Sequence, residues 1–322
     1  MLRAVLFIFS ILFYMSSTAQ FYDRSWIVGA GQALVKLTFN GSSFDTASYY
    51  FNTNGIGINS ASSDVSDTAG NILFYTNGAM VANGLTQIME NGDTLTDSLF
   101  YSMFASGFSE PQTDLILPRS DNTFYLFYYS ESDSLLSLHI GQPDRLYYAI
   151  IDMNANGGLG KVVSKKNVVH KGIIGDCRLT ACRHANGGDW WIVHQGFENN
   201  EYFTYLVTPD SVYPLQIQYI GPSDFYQDNL AAQSSFSPDG SKFTTVSAIG
   251  PLEIMNFDRC TGIFSNPDSI FIPIDSFWYN GTYDFPTTNG GTGCCFSANG
   301  RFLYFTNSID IVQYDTWAPN LA

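Results

Sequence analysis

Short apolar runs broken by Gly, Asn and Asp fill this chain, and no stretch sustains a helical apolar period with caps. The pattern predicts strands joined by turns. Its clearest unit is Ser235-Phe236-Ser237-Pro238-Asp239-Gly240-Ser241-Lys242-Phe243: a short strand, a turn centred on Asp239-Gly240, and a second apolar strand. An Asp-Gly or Asn-Gly pair suits a tight hairpin because such a turn demands positive φ. The unit recurs from Cys295 to Tyr304, from Cys182 to Val193, in weaker form from Leu115 to Phe127, and from Ser66 to Tyr75. The turn positions fall at Gly70, Asn122, Gly187, Gly240 and Gly300, with gaps of 52, 65, 53 and 60 residues.

A further strand pair follows several of these hairpins. Tyr147 to Asp152 precedes Lys161 to Val163, and Leu252 to Asp258 precedes Thr261 to Phe264. Each module therefore holds about four strands. Four-stranded units repeating at about 40–50 residues, stretched by loops, are the blades of a β-propeller. The expected fold is all-β: antiparallel four-stranded blades, about five of them visible. Ile309 to Asp315 reads as the third strand of the last module, and the sequence stops soon afterwards at Ala322. The strands Trp26 to Gly29 and Ala33 to Phe39 offer one way to complete that blade by closing the ring. The favoured expectation is instead a truncated chain from a six- to eight-bladed ring, with its last blade incomplete.

Composition adds a compartment. Arg3, the apolar run Val5 to Met15 and the small residues Ser17-Thr18-Ala19 form a signal peptide over residues 1–19, leaving 20–322 as the propeller domain. The run is too short for the ~20 residues of a membrane-spanning helix. The protein is expected to be secreted or at the cell surface. Its net charge of −15 repels phosphate backbones and argues against nucleic-acid binding. Five cysteines in an exported chain suggest disulfides, Cys177 with Cys182 and Cys260 with Cys294 or Cys295, leaving one thiol over.

Candidate chemistry is sparse. No nucleophile elbow, zinc-protease motif or phosphate-binding loop occurs. His184 and Asp189 lie near Trp190-Trp191, with His194 three residues on, as an acid/base set beside an aromatic platform would. The competing reading makes His184 a turn residue, since it occupies the place of Ser237 and Ser297 in other modules. Asp152, Asn154 and Asn156 fit the first half of a calcium loop, and Asp64 and Asp67 flank another turn. Asp and Asn in such places commonly bond their own backbone. Calcium is thus the one cofactor considered, with none as the default. The loops Phe104 to Gln112 and Tyr219 to Asn229 are candidate recognition surfaces.

The modules resemble a group of secreted Bacteroidetes β-propeller proteins with WD40- or YVTN-like repeats. The segments that carry the resemblance are Trp26-Ile27-Val28-Gly29, Ser66 to Gly78, Met89 to Gly92, His184 to Trp191 and Phe257 to Gly262. It implies export, often through type IX secretion with a C-terminal sorting domain, and that domain is not found here. It implies little about chemistry. The expected function is a non-catalytic scaffold binding an extracellular protein or polysaccharide. The alternative is a propeller enzyme, a lactonase-like hydrolase or a lyase, acting at the central channel.

Overall fold

The computed structural model describes residues 24–30, 33–40, 43–50, 56–138, 141–175, 177–197, 200–222, 233–246, 251–270, 278–279, 282–283, 293–306 and 311–318. The expected signal peptide lies outside the described residues. Strands follow one another as antiparallel sheets. The first takes β1 (Ser25–Ala30), β2 (Ala33–Asn40) and β3 (Ser43–Tyr50); the second takes β4 (Ser63–Ser66), β5 (Ile72–Thr76) and β6 (Val81–Asn83). After helix α1 (Ser98–Phe104) come β7 (Asp114–Pro118) and β8 (Thr123–Ser130). Helix α2 (Asp133–Leu136) precedes β9 (Arg145–Asp152) and β10 (Lys161–Lys171), which complete a four-stranded sheet.

Two more four-stranded sheets follow. One is β11 (Thr180–Arg183), β12 (Trp190–Gln195), β13 (Glu201–Val207) and β14 (Val212–Tyr219). The other is β15 (Gln233–Phe236), β16 (Lys242–Val246), β17 (Leu252–Asp258) and β18 (Ile263–Ile270). A short hairpin, β19 (Trp278–Tyr279) and β20 (Thr282–Tyr283), precedes the last sheet of β21 (Gly293–Phe296), β22 (Phe302–Thr306) and β23 (Ile311–Asp315).

The near-continuous apolar strands have a simple cause: each middle sheet is covered on both faces. Successive side chains of a strand point to opposite faces. In β8, Phe124, Leu126 and Tyr128 enter the core shared with the sheet before. Tyr125, Phe127 and Tyr129 enter the core shared with the sheet after. Each such buried side chain contributes about 1.5–3 kcal/mol. The pattern repeats along the chain, with one core between each successive pair of the main sheets.

All five anticipated turn positions have positive φ: Gly70 (83°), Asn122 (60°), Gly187 (76°), Gly240 (69°) and Gly300 (72°). The loops are longer than a two-residue hairpin. Gly240 donates to the Ser237 carbonyl at 2.7 Å, and the Ser237 amide pairs with the Lys242 carbonyl at 2.9 Å, enclosing four residues. Such a loop needs positive φ only at its glycine. The Asp239 carboxylate holds the rest: its Oδ1 accepts from the Ser241 amide at 3.0 Å and the Ser237 hydroxyl at 2.6 Å.

One alternative is set aside and one expectation corrected. The N-terminal strands do not complete the last sheet; β1 lies beside β4, where the Ile27 amide donates to Asp64 Oδ1 at 3.0 Å and the Ser25 hydroxyl to the Gly70 carbonyl at 2.7 Å. No disulfide joins the cysteines. Cys182 packs with Trp191 and Val193 inside a core, whereas Cys177 lies ahead of the strand. Cys260 follows Arg259, whose guanidinium reaches the Arg183 carbonyl of the preceding sheet. Cys294 bonds Gln233 from the following sheet, so Cys260 and Cys294 flank opposite sides of the β15–β18 sheet.

Candidate active site

The innermost strands β4, β7, β11, β15 and β21 all begin at one end of the sheets, here the mouth, and residues at their starts meet. Gln112, just before β7, donates from Nε2 to the Ser234 carbonyl at 2.9 Å and accepts the Ser234 amide at 2.8 Å. Its own carbonyl accepts the Leu179 amide at 3.1 Å, and the Cys294 amide donates to Gln233 at 2.7 Å. Four sheets are thereby tied together at one polar centre.

Arg178 sits there with φ of 75°, a left-handed conformation that costs a non-glycine residue of order 1–3 kcal/mol. Its Nη1 donates to Gln195 Oε1 at 2.5 Å, and both side chains are buried. Beside them, the Tyr202 hydroxyl donates to Glu253 Oε2 at 3.2 Å. Glu253 is 3% exposed, and its Oε1 has no hydrogen-bond partner among the described residues. Burial pushes its carboxyl up to about 7, against the pull of Tyr202 and of the Arg178 charge. Gly221 leaves room beside it, since a Cβ there would stand 3.2 Å from Glu253 Oε2.

Two further carboxyls belong to this end. Asp114, at the start of β7, is fully buried and accepts no hydrogen bond of ordinary geometry on either carboxylate oxygen among the described residues. Burial pushes it up to about 7 against the pull of the Ser63 hydroxyl. Asp64 on β4 is likewise raised to about 7 by burial, which outweighs its bond from the Ile27 amide. Buried polar groups are ordinarily paired. A raised, buried carboxyl such as Glu253 beside the Arg178 charge is therefore a candidate for chemistry more than for scaffolding.

The residues singled out from sequence lie elsewhere. His184 occupies the turn after β11: its amide donates to the Asp189 carbonyl at 2.9 Å and its Nδ1 accepts the Asn186 amide at 3.0 Å. The Asp189 carboxylate accepts from Asn186 Nδ2 at 2.7 Å. His194 is at the other end of the hairpin, fully buried and stacked on Phe203 at 4.7 Å, and burial holds its imidazole down at about 3. The structure does not bring these three together. Asp152 accepts the Asn154 amide at 2.9 Å, and Asp67 accepts the Ala69 and Asn71 amides at 2.9 and 2.8 Å, so these turn oxygens serve their own backbone. Asn156 carries φ of 50° within the same loop. Among the described residues no three His, Cys, Asp or Glu side chains cluster as metal ligands would.

Sequence reasoning missed Arg178, Gln195, Tyr202 and Glu253. One signal was present: Glu253 interrupts the apolar run Leu252-Glu253-Ile254-Met255, all four of which are buried. The loop Phe104 to Gln112, anticipated as a recognition surface, contributes Phe104 and Phe108 to a cavity of about 360 Å³ over β8. Of the loop Tyr219 to Asn229, residues 223–229 lie outside the described residues.

No protein-family model and no curated protein matches this sequence. Solved structures do match. A periplasmic gluconolactonase from Pseudomonas aeruginosa is similar at 13% identity and a TM-score of 0.51, over 91% of this chain and 81% of that one. A protein from Bacteroides fragilis proposed to be a 6-phosphogluconolactonase is similar at 12% identity and a TM-score of 0.50, over 90% and 76% of the two chains. The chain is a β-propeller. The propeller's sheets are its blades, and the mouth is the end of its central axis.

The expectation of a non-catalytic scaffold, and with it the leaning against an enzyme, is corrected here. One matched propeller is described as a lactonase and the other as proposed to be one, where the expectation was a non-catalytic scaffold. Among the described residues no helix is long and apolar enough to cross a membrane.

Proposed function

We propose that this propeller is a hydrolase of lactones, with its reaction centre at the axial mouth around Glu253 and Arg178. The observation that carries the reading is the buried Glu253 carboxyl. It is raised to about 7 and bonded through one oxygen to Tyr202, and its other oxygen has no hydrogen-bond partner among the described residues. A carboxyl poised near neutrality suits general base catalysis. Glu253 takes a proton from water as the water oxygen adds to the lactone carbonyl. Arg178, held by Gln195, stabilises the negative oxygen of the tetrahedral intermediate. The ring C–O bond then breaks, and the proton returns from Glu253 to the departing ring oxygen, leaving a hydroxy acid. The matched propellers' descriptions as gluconolactonases support this substrate class, and the cluster at the mouth supplies the groups it needs.

Export belongs to the same proposal. The leader over residues 1–19 and the resemblance to secreted Bacteroidetes propellers support it, and the Pseudomonas aeruginosa protein is described as periplasmic. The test is proton release from glucono-1,5-lactone and from its 6-phosphate by the purified chain, against the spontaneous rate. Hydrolysis well above that rate, lost in Glu253→Gln, is the expected result. A rate no higher than spontaneous with both lactones would sink the reading.

A further inference from the structure

The cavity behind α1 is lined by none of Arg178, Gln195, Tyr202 and Glu253, and the lactonase reading does not use it. One wall is a cluster of three rings: Phe100 lies 4.6 Å from Phe104 and 5.0 Å from Phe108. Tyr129 and Thr113 close it from β8 and the approach to β7. Glu131 lies among these apolar groups. It is 2% exposed and lines the cavity, and its Oε1 has no hydrogen-bond partner among the described residues. The Thr113 hydroxyl is in the same state. One oxygen of the buried Glu131 carboxylate therefore has no compensating partner among the described residues, which is costly, and a group that supplies charge and donors together would answer it.

The surrounding charges point the same way. The only charged side chains among the described lining residues are Glu110 and Glu131. The Arg145 guanidinium is engaged by the neighbouring Asp144, which also accepts the Ser132 amide at 2.7 Å. Burial raises the Glu131 carboxyl from its ordinary value, with the Asp144 charge adding to it and the Gly141 and Gln142 amides opposing it. At about 360 Å³ the cavity falls within the range of roughly 300–1,000 Å³ usual for small-molecule sites.

We propose that this cavity is a binding site for a small organic ammonium ion with an aromatic or aliphatic body, its N–H groups donating to Glu131 and Thr113. The three phenylalanines hold the body, and their ring faces attract the cation. A neutral alcohol of the same shape lacks the charge that answers Glu131, so it binds at least tenfold more weakly.

The test is calorimetric titration of the full chain with 2-phenylethylammonium, and separately with 2-phenylethanol. Saturable binding of one ammonium per chain, at least tenfold tighter than the alcohol, is expected; no binding, or equal affinity for the two, overturns the proposal. This comparison needs no variant. Glu131→Gln, checked for an unchanged circular dichroism spectrum, is expected to lose at least tenfold in ammonium affinity while Phe104→Ala weakens both ligands. Unchanged ammonium affinity in a folded Glu131→Gln protein also overturns it.

Discussion

At the turn end of the blades, Asp239 accepts from the Ser241 amide and two hydroxyls; at the mouth, Asp114 is buried and accepts no hydrogen bond of ordinary geometry on either oxygen among the described residues. The same functional group is handled in opposite ways 125 residues apart in the chain. Hydrogen bonds hold Asp67, Asp239 and Asp258 below the usual carboxylate range despite the opposing effect of burial. Burial holds Asp64, Asp114 and Glu253 up at about 7. The turn end is satisfied locally and specifies the hairpins. At the mouth, Asp114 and Glu253 keep carboxylate oxygens without hydrogen-bond partners among the described residues, and the proposed hydrolysis would use that of Glu253.

The sharpest way to break this contrast is at the mouth. Glu253→Gln keeps the shape and the Tyr202 contact but removes the base, so lactone hydrolysis is expected to fall by about 10²–10⁴-fold in kcat. Steady-state proton release measures it, and a variant with wild-type kcat would place the base elsewhere. Asp239→Ala, by contrast, is expected to retain hydrolysis.

The next effect is on pH and stability. A carboxyl raised in the folded chain still binds its proton between about pH 4 and about pH 7, where the unfolded chain has released it. The stability this confers is complete below about pH 4 and is lost as the pH rises through about 7. The turn carboxyls act the other way, and their contribution is lost as the pH falls below about 4. Thermal unfolding across pH 5 to 8 is therefore expected to show a falling midpoint. Asp114→Asn is expected to flatten that fall and to stabilise the chain at pH 8 by about 1–3 kcal/mol. A midpoint that climbs over this range would contradict the raised carboxyls.

Asp239→Ala is smaller in effect, costing about 1–2 kcal/mol because the loop loses the acceptor that holds it. Denaturant titration reads the loss, and no change would mean that Gly240 alone sets the turn. Smallest is the response to reductant: with no disulfide joining the cysteines, dithiothreitol is expected to shift the unfolding midpoint negligibly. A marked drop would restore the pairing of Cys260 with Cys294 or Cys295.

The two ends also differ in how far the sequence reveals them. A turn is written by neighbours: Asp239, Gly240 and Ser241 make their own loop, so the repeated hairpins at Gly70, Asn122, Gly187, Gly240 and Gly300 are visible as text. Loop length was less legible, because an Asp-Gly pair serves both two-residue and four-residue hairpins. The mouth is written by strangers. Gln112, Arg178, Gln195 and Glu253 come from three blades, with no spacing to connect them, and only the ring brings them together. His184 misled for the same reason: its neighbours in sequence suggested a site, while its hydrogen bonds belong to the hairpin.

The division of the apolar interior into separate cores has a consequence for how the molecule comes apart. Each core is shared by two adjacent blades, so its loss loosens that pair first and reaches the others only through their neighbours. Opening then resembles the parting of a fan, leaf by leaf, and amide exchange would display a graded series of protection with the thickest protection in β8, whose side chains serve two cores at once.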